Sequence, residues 1–181
     1  MTHRIPHTQL TNWAGLAGAI LIAVALPAQA GRLRAVHDNA EGGQTRVFGA
    51  AHAGEAGSAV RGSRVVTDGE GNVSATRGAA VQGAAGGSFR RGARNTRAAD
   101  GSATHQSGMS ATGAKGTIDS QGNATKDASG NVTQQRTTSA TSSTTGNSVE
   151  STSSYNKDTG RTRTTTCFDS SGATITCPSG K

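Results

Sequence analysis

The stretch Gly71-Asn72-Val73-Ser74-Ala75-Thr76-Arg77-Gly78 returns in weakened form as Gly101-Ser102-Ala103-Thr104-His105-Gln106-Ser107-Gly108 and again as Gly130-Asn131-Val132-Thr133-Gln134-Gln135-Arg136-Thr137. A fourth unit starts at Gly160 with Arg161-Thr162-Arg163-Thr164, so the leading glycines Gly71, Gly101, Gly130 and Gly160 recur at an almost constant interval. Each follows an aspartate by one to three positions (Asp68, Asp100, Asp127, Asp158), and Gly42-Gly43 marks a degenerate earlier unit. Further glycines fall near mid-unit, at Gly86-Gly87, Gly113, Gly116, Gly146 and Gly172. A turn signal about every 15 residues, with Thr, Ser, Val and Arg between, reads as strand, turn, strand, turn. Alternation places Thr162, Thr164 and Thr166 on one face of a strand and Arg161, Arg163 and Thr165 on the other. The 26 glycines and the Ser/Thr-rich second half oppose a helical reading. The predicted fold class is mainly β: a thin, repetitive antiparallel hairpin meander or solenoid-like stack, with substantial disorder in the N-terminal part.

Composition sets the thickness of that fold. Of 181 residues only 3% are aromatic, and the formal net charge is +7. Beyond Ala30 the large apolar side chains are nine Val, two Ile, Leu33, Met109, three Phe and Tyr155. That is about a tenth of the positions, below the ~20% at which chains struggle to form a globule. A thick core is excluded, and with it the rigid frame on which enzymes hold catalytic groups. No enzyme is expected.

Residues 1–30 read as a secretory signal peptide with a cleaved signal helix. Arg4, with His3 and His7, forms a positive start. The run Trp13–Leu26 is apolar, Pro27 ends it, and Ala28-Gln29-Ala30 supplies the small residues of a cleavage site before Gly31. That apolar run is well short of the ~20 residues that span a bilayer. No second such run follows, so no stable membrane span is expected after cleavage. The expected location is outside the cytoplasm, periplasmic or extracellular. The remainder divides into a flexible Gly/Ala-rich basic segment (31–60), degenerate ~30-residue β repeats (61–154) and a C-terminal disulfide-closed hairpin (155–181).

Cys167 and Cys177 are the only cysteines. In an oxidising compartment an even count predicts a disulfide. Between them, Asp169-Ser170-Ser171-Gly172 is a type I turn sequence followed by a glycine suited to positive φ, the three-residue hairpin loop with a bulge. In that register Asp169 pairs with Ala173 and Cys167 with Ile175, leaving Cys167 and Cys177 as diagonal neighbours on one face. A two-residue loop puts them on opposite faces.

Tyr155-Asn156-Lys157-Asp158-Thr159-Gly160-Arg161-Thr162 and Phe168-Asp169-Ser170-Ser171-Gly172-Ala173-Thr174 resemble the aromatic-Asp-x-x-Gly-Arg turn units of YD/RHS repeats. The resemblance is confined to 155–176 and implies β-hairpin strips of the kind found in secreted bacterial shells and surface proteins. As a whole the chain is similar to uncharacterised exported Gly/Ser/Thr-rich repeat proteins of Gram-negative bacteria. This implies an envelope or extracellular location and brings no activity.

The search for chemistry yields little. His37, His52 and His105 stand alone, and no HExxH, GxSxG or phosphate-loop motif is present. Asp68-Gly69-Glu70-Gly71-Asn72 reads as a turn, because it lacks the alternating acidic ligands of a calcium loop. No catalytic residue, metal, cofactor or small-molecule substrate is expected. Charge is the remaining hint. The segment 31–97 carries ten Arg and no Lys against five acids. Arg90, Arg91, Arg94 and Arg97 sit beside Phe89 and suit bidentate contact with phosphate or carboxylate.

Three functions follow as expectations. The first is an exported, non-enzymatic structural or interaction protein of the cell envelope or exterior. The second is a largely disordered basic module binding lipopolysaccharide, acidic polysaccharide or DNA. The third is a fibre-forming matrix subunit, since short Ser/Thr/Gln/Asn strands stack edge to edge. Expected partners are anionic envelope polymers or other copies of the chain.

Overall fold

The computed structural model describes residues 30–40 and 42–178. The expected signal segment falls outside them except for Ala30, and the first strand begins at Gly31, directly after the expected cleavage site. Eleven strands follow: β1 (Gly31–Asp38), β2 (Gln44–Gly54), β3 (Gly57–Thr67), β4 (Val73–Gly83), β5 (Ser88–Arg97), β6 (Ala103–Gly113), β7 (Gly116–Lys126), β8 (Val132–Ser142), β9 (Ser148–Asn156), β10 (Gly160–Phe168) and β11 (Thr174–Ile175). They lie in one open sheet in strict sequence order, each antiparallel to the next. At 4.7–4.9 Å between strands, the sheet is roughly 48 Å across. Of the two predicted variants the chain adopts the meander, and one repeat unit corresponds to one hairpin.

The turns carry the periodicity. Each of the ten hairpin connections has, within it or at its end, one glycine with positive φ, from Gly42 to Gly172, and no other described residue has one. Six connections share a five-residue form in which the first residue's N–H donates to the fifth residue's carbonyl: Asn39 to Gly43 at 2.8 Å, Asp68 to Asn72 at 3.1 Å, Gly83 to Gly87 at 2.8 Å, Ala98 to Ser102 at 2.9 Å, Asp127 to Asn131 at 3.0 Å and Asp169 to Ala173 at 2.9 Å. Where Asp opens the turn, its carboxylate accepts backbone N–H groups from inside. The Asp169 Oδ1 takes those of Ser171 and Ala173, both at 2.9 Å. Asp68 accepts from the Asn72 N–H at 2.9 Å and its Nδ2 at 2.7 Å, and Asp127 repeats the pattern with Asn131. These bonds, led by the Asn72, Asn131 and Ser171 side chains, hold all three carboxyls below the usual 3.8.

The connections β2–β3 and β6–β7 are instead two-residue loops, closed by the pairs Gly54↔Gly57 and Gly113↔Gly116. Gly57 (φ 126°) and Gly116 (φ 143°) occupy equivalent places, two repeat units apart, and each lies hard against the strand that follows its own. A Cβ on Gly57 would run into the Gln82 carbonyl, and one on Gly116 into the Thr141 carbonyl. Beside them the Ala84 N–H donates to the Ala56 carbonyl at 3.2 Å and the Ser143 N–H to the Lys115 carbonyl at 3.1 Å, tying alternate turns together.

Nothing covers either face of the sheet among the described residues. Cys167, at 6% exposed, is the only buried apolar residue there, and Val60, Val81 and Ile118 remain more than 40% exposed. Order comes from the backbone ladder and from hydroxyl pairs across it. Thr96 and Thr104 Oγ1 are 2.6 Å apart, Thr125 and Thr133 2.7 Å, and Ser154 Oγ and Thr162 Oγ1 2.6 Å. Such pairs contribute roughly 0.2–1 kcal/mol each.

Residues 31–60, expected to be a flexible segment, carry β1, β2 and the start of β3 in the same sheet. The glycine period runs on through Gly42 and Gly57, so the same turn chemistry holds there. At the other end the expected hairpin is present. Cys167 pairs with Ile175 and Phe168 with Thr174, and the Cys167–Cys177 disulfide spans a Cα–Cα distance of 5.2 Å.

Candidate functional site

Because directly paired residues in an antiparallel sheet share a face, the register sorts every strand residue onto one of two surfaces. On one lies a line of five glycines, Gly49, Gly62, Gly78, Gly92 and Gly108, paired in turn across β2 to β6. The line continues as Gln121, Thr137, Thr152 and Thr164. Rows beside it carry mostly Thr, Ser, Gln and Asn with Arg64, Arg90, Arg94, Asp119 and Glu150. This is the polar face.

The opposite face has a different chemistry. It carries ten of the thirteen strand arginines, all but Arg64, Arg90 and Arg94, together with Lys126. Its only strand carboxylate is Asp38, at the end of β1. It also takes twelve of the seventeen large apolar residues, all but Leu33, Val47, Val60, Val66 and Phe168. One row runs Val81, Phe89, Ala111, Ile118, Ala140, Val149, Cys167 and Ile175, a nearly continuous apolar line from β4 to β11. The next rows inward hold Arg61 and Arg91, then Arg34, Arg77, Arg136 and Arg163.

Arginine contacts on this basic face go to hydroxyls, an amide and a ring. Arg136 donates to Ser120 Oγ and Ser107 Oγ at 3.0 Å, Arg163 to Ser151 Oγ at 2.9 Å, and Arg46 to Gln44 Oε1 at 2.6 Å. Arg61 lies 5.7 Å from the centroid of the Phe48 ring. Each guanidinium has five donors and these contacts use one or two, so most remain open to an anion. A shallow hollow of about 300 Å³ at one margin of this face is lined by Val73, Ala75, Arg97, His105 and Lys126 among others.

The four arginines singled out in the sequence sit together on β5 without forming one cluster. Strand alternation sends Arg90 and Arg94 to the polar face and Arg91 and Arg97 to the basic face. What the basic face assembles is Arg61, Arg77 and Arg91 from three successive strands, flanked by Arg32, Arg34 and Arg46 on β1 and β2. Sequence reasoning missed that set because each member lies on a different strand, with a whole turn between one and the next. The available signal was their recurrence at the turn-to-turn spacing.

No family model, curated protein or solved structure matches the chain. Among the described residues, no group of three or more His, Cys, Asp and Glu side chains is placed to hold a metal ion. No helix there is long and apolar enough to cross a membrane.

Proposed function

We propose that this chain is an exported, non-enzymatic structural or interaction protein of the cell envelope or exterior, working through the basic face of its sheet. The observation that carries the reading is the division of one uncovered layer into an arginine and apolar face and a Gly/Thr/Ser/Gln face. A single layer has no interior in which to enclose a substrate, but it offers an extended surface at low chain cost. The signal-like segment 1–30 supports export, and the Cys167–Cys177 disulfide suits an oxidising compartment. Fractionating cells that express the full chain tests the location: recovery in the cytoplasm alone refutes it.

A second reading, polyanion binding, rests on the cross-strand arginines. Rows of guanidinium groups with open donors fit the repeating phosphates or carboxylates of an envelope polymer. Replacing Arg61, Arg77 and Arg91 together by Ser is expected to weaken salt-sensitive retention on lipopolysaccharide or heparin well beyond the same change at Arg64, Arg90 and Arg94. The two triples remove equal charge, so equal losses mean that net charge alone acts and the face does not.

A further inference from the structure

The two edges of the sheet are unlike. The C-terminal edge is blunted: β11 has two residues, Cys177 is tied back to Cys167, and Pro178 follows. The N-terminal edge is β1, eight residues with no strand outside it among the described residues. The two most exposed large apolar side chains among the described residues both belong to this edge, Val36 at 55% and Leu33 at 47%.

The backbone of β1 also defines what would fit beside it. The Asn39 N–H bonds the Gly43 carbonyl, and pairing continues at every second residue. Residues 39, 37, 35, 33 and 31 therefore spend their backbone groups on β2, while Arg32, Arg34, Val36 and Asp38 direct theirs outward. The strand is also self-complementary. Turned antiparallel about Ala35, Gly31-Arg-Leu-Arg-Ala-Val-His-Asp38 sets Arg32 opposite Asp38 of a second copy and Arg34 opposite Val36. All four outward-facing residues then meet outward-facing partners. Asp38, which among the described residues accepts a single exposed 3.2 Å side-chain bond, from Gln44 Nε2, is placed to accept the incoming guanidinium.

We propose that two copies of this chain join through β1 about a two-fold axis at Ala35, making one continuous sheet with the blunted β11 at both ends. The contact is isologous and closes on itself, so the product is a dimer, with no fibre beyond it. The pairing is independent of what either face binds.

The test uses the full chain, exported and processed by its host. Sedimentation velocity is expected to show a concentration-dependent monomer–dimer equilibrium; monomer at every concentration or an open-ended series of larger species overturns the proposal. Val36→Pro removes an outward N–H without touching the β2 ladder and is expected to give a monomer with unchanged circular dichroism. A Val36→Pro dimer refutes the interface. Under oxidising conditions Ala35→Cys is expected to give a disulfide-linked dimer, whereas cross-linking by Val36→Cys instead rules out this register. Arg32→Asp and Asp38→Arg singly are each expected to raise the dissociation constant at least about fivefold. The double exchange restores it; failure of that rescue counts against the Arg32–Asp38 pairing.

Discussion

Gly113 and Gly116 flank the same two-residue loop and pair with each other, so replacing either by Ala makes the same chemical change at the same hairpin. The structure separates them. Gly113 has ordinary φ, and an added Cβ there meets nothing within 4 Å. Gly116 sits at φ 143°, and its Cβ would collide with the Thr141 carbonyl oxygen on the neighbouring strand β8. Gly113→Ala should therefore be neutral or stabilise by up to about 1 kcal/mol, through the lower entropy of the unfolded chain. Gly116→Ala takes a non-glycine residue into a region costing about 1–3 kcal/mol. It must also push β8 away, close to the point where the Lys115 carbonyl accepts the Ser143 N–H. A gap of about 2–4 kcal/mol between the variants is expected from these two terms. Urea unfolding followed by circular dichroism measures it: with a slope of about 1–3 kcal/mol/M, the midpoint of Gly116→Ala should fall about 1 M or more below that of Gly113→Ala. Amide exchange should show the loss centred on β7 and β8. Equal midpoints refute the two-residue loop geometry and the register built on it.

Further outcomes follow from the ends and the turns. Replacing Cys167 and Cys177 by Ala opens a loop with sequence separation 10, expected to cost about 3 kcal/mol in the chain-entropy account and to loosen β10 and β11 first; thermal melts with and without reductant, compared with the double variant, check this. The carboxyls of Asp68, Asp127 and Asp169 are held below 3.8 by turn hydrogen bonds, so their stabilisation is complete above their unfolded value and is lost as pH falls through the folded one. Titration of these groups should leave the melting temperature unchanged between about pH 7 and 5, where their contribution is fully present, and lower it below about pH 4, and that acid sensitivity should shrink in Asp68→Asn. Gly57→Ala should reproduce the effect of Gly116→Ala two units away, because the Gln82 carbonyl blocks its Cβ in the same manner; matched urea midpoints for the pair test whether the repeat is structural.

Much of the local structure was legible in the sequence. Glycine spacing located the turns, Asp169-Ser170-Ser171-Gly172 defined the last hairpin to the residue, and alternation assigned the faces of β10. Glycine and proline act on φ and ψ of their own residues, so their signals need no tertiary context. The candidate site was not legible in the same way. Arg90, Arg91, Arg94 and Arg97 are close in sequence and divide between two faces, while Arg61, Arg77 and Arg91 are distant in sequence and share one.

Local chemistry thus settles whatever is local and periodic: strand and turn positions, side-chain alternation within each strand, the cysteine hairpin, and a fold too poor in large apolar residues for a core. How faces carry across turns is settled only by the assembled sheet. Connections closed by Gly54↔Gly57 and Gly113↔Gly116, and the β8–β9 connection closed by the Ser142 N–H on the Asn147 carbonyl, invert the odd-even assignment, whereas the turns closed by a first-to-fifth hydrogen bond preserve it. One misjudged loop length would move every later residue to the other face. The line of five glycines, the arginine face and the open β1 edge all depend on the accumulated register, which exists only when every strand has found its neighbour.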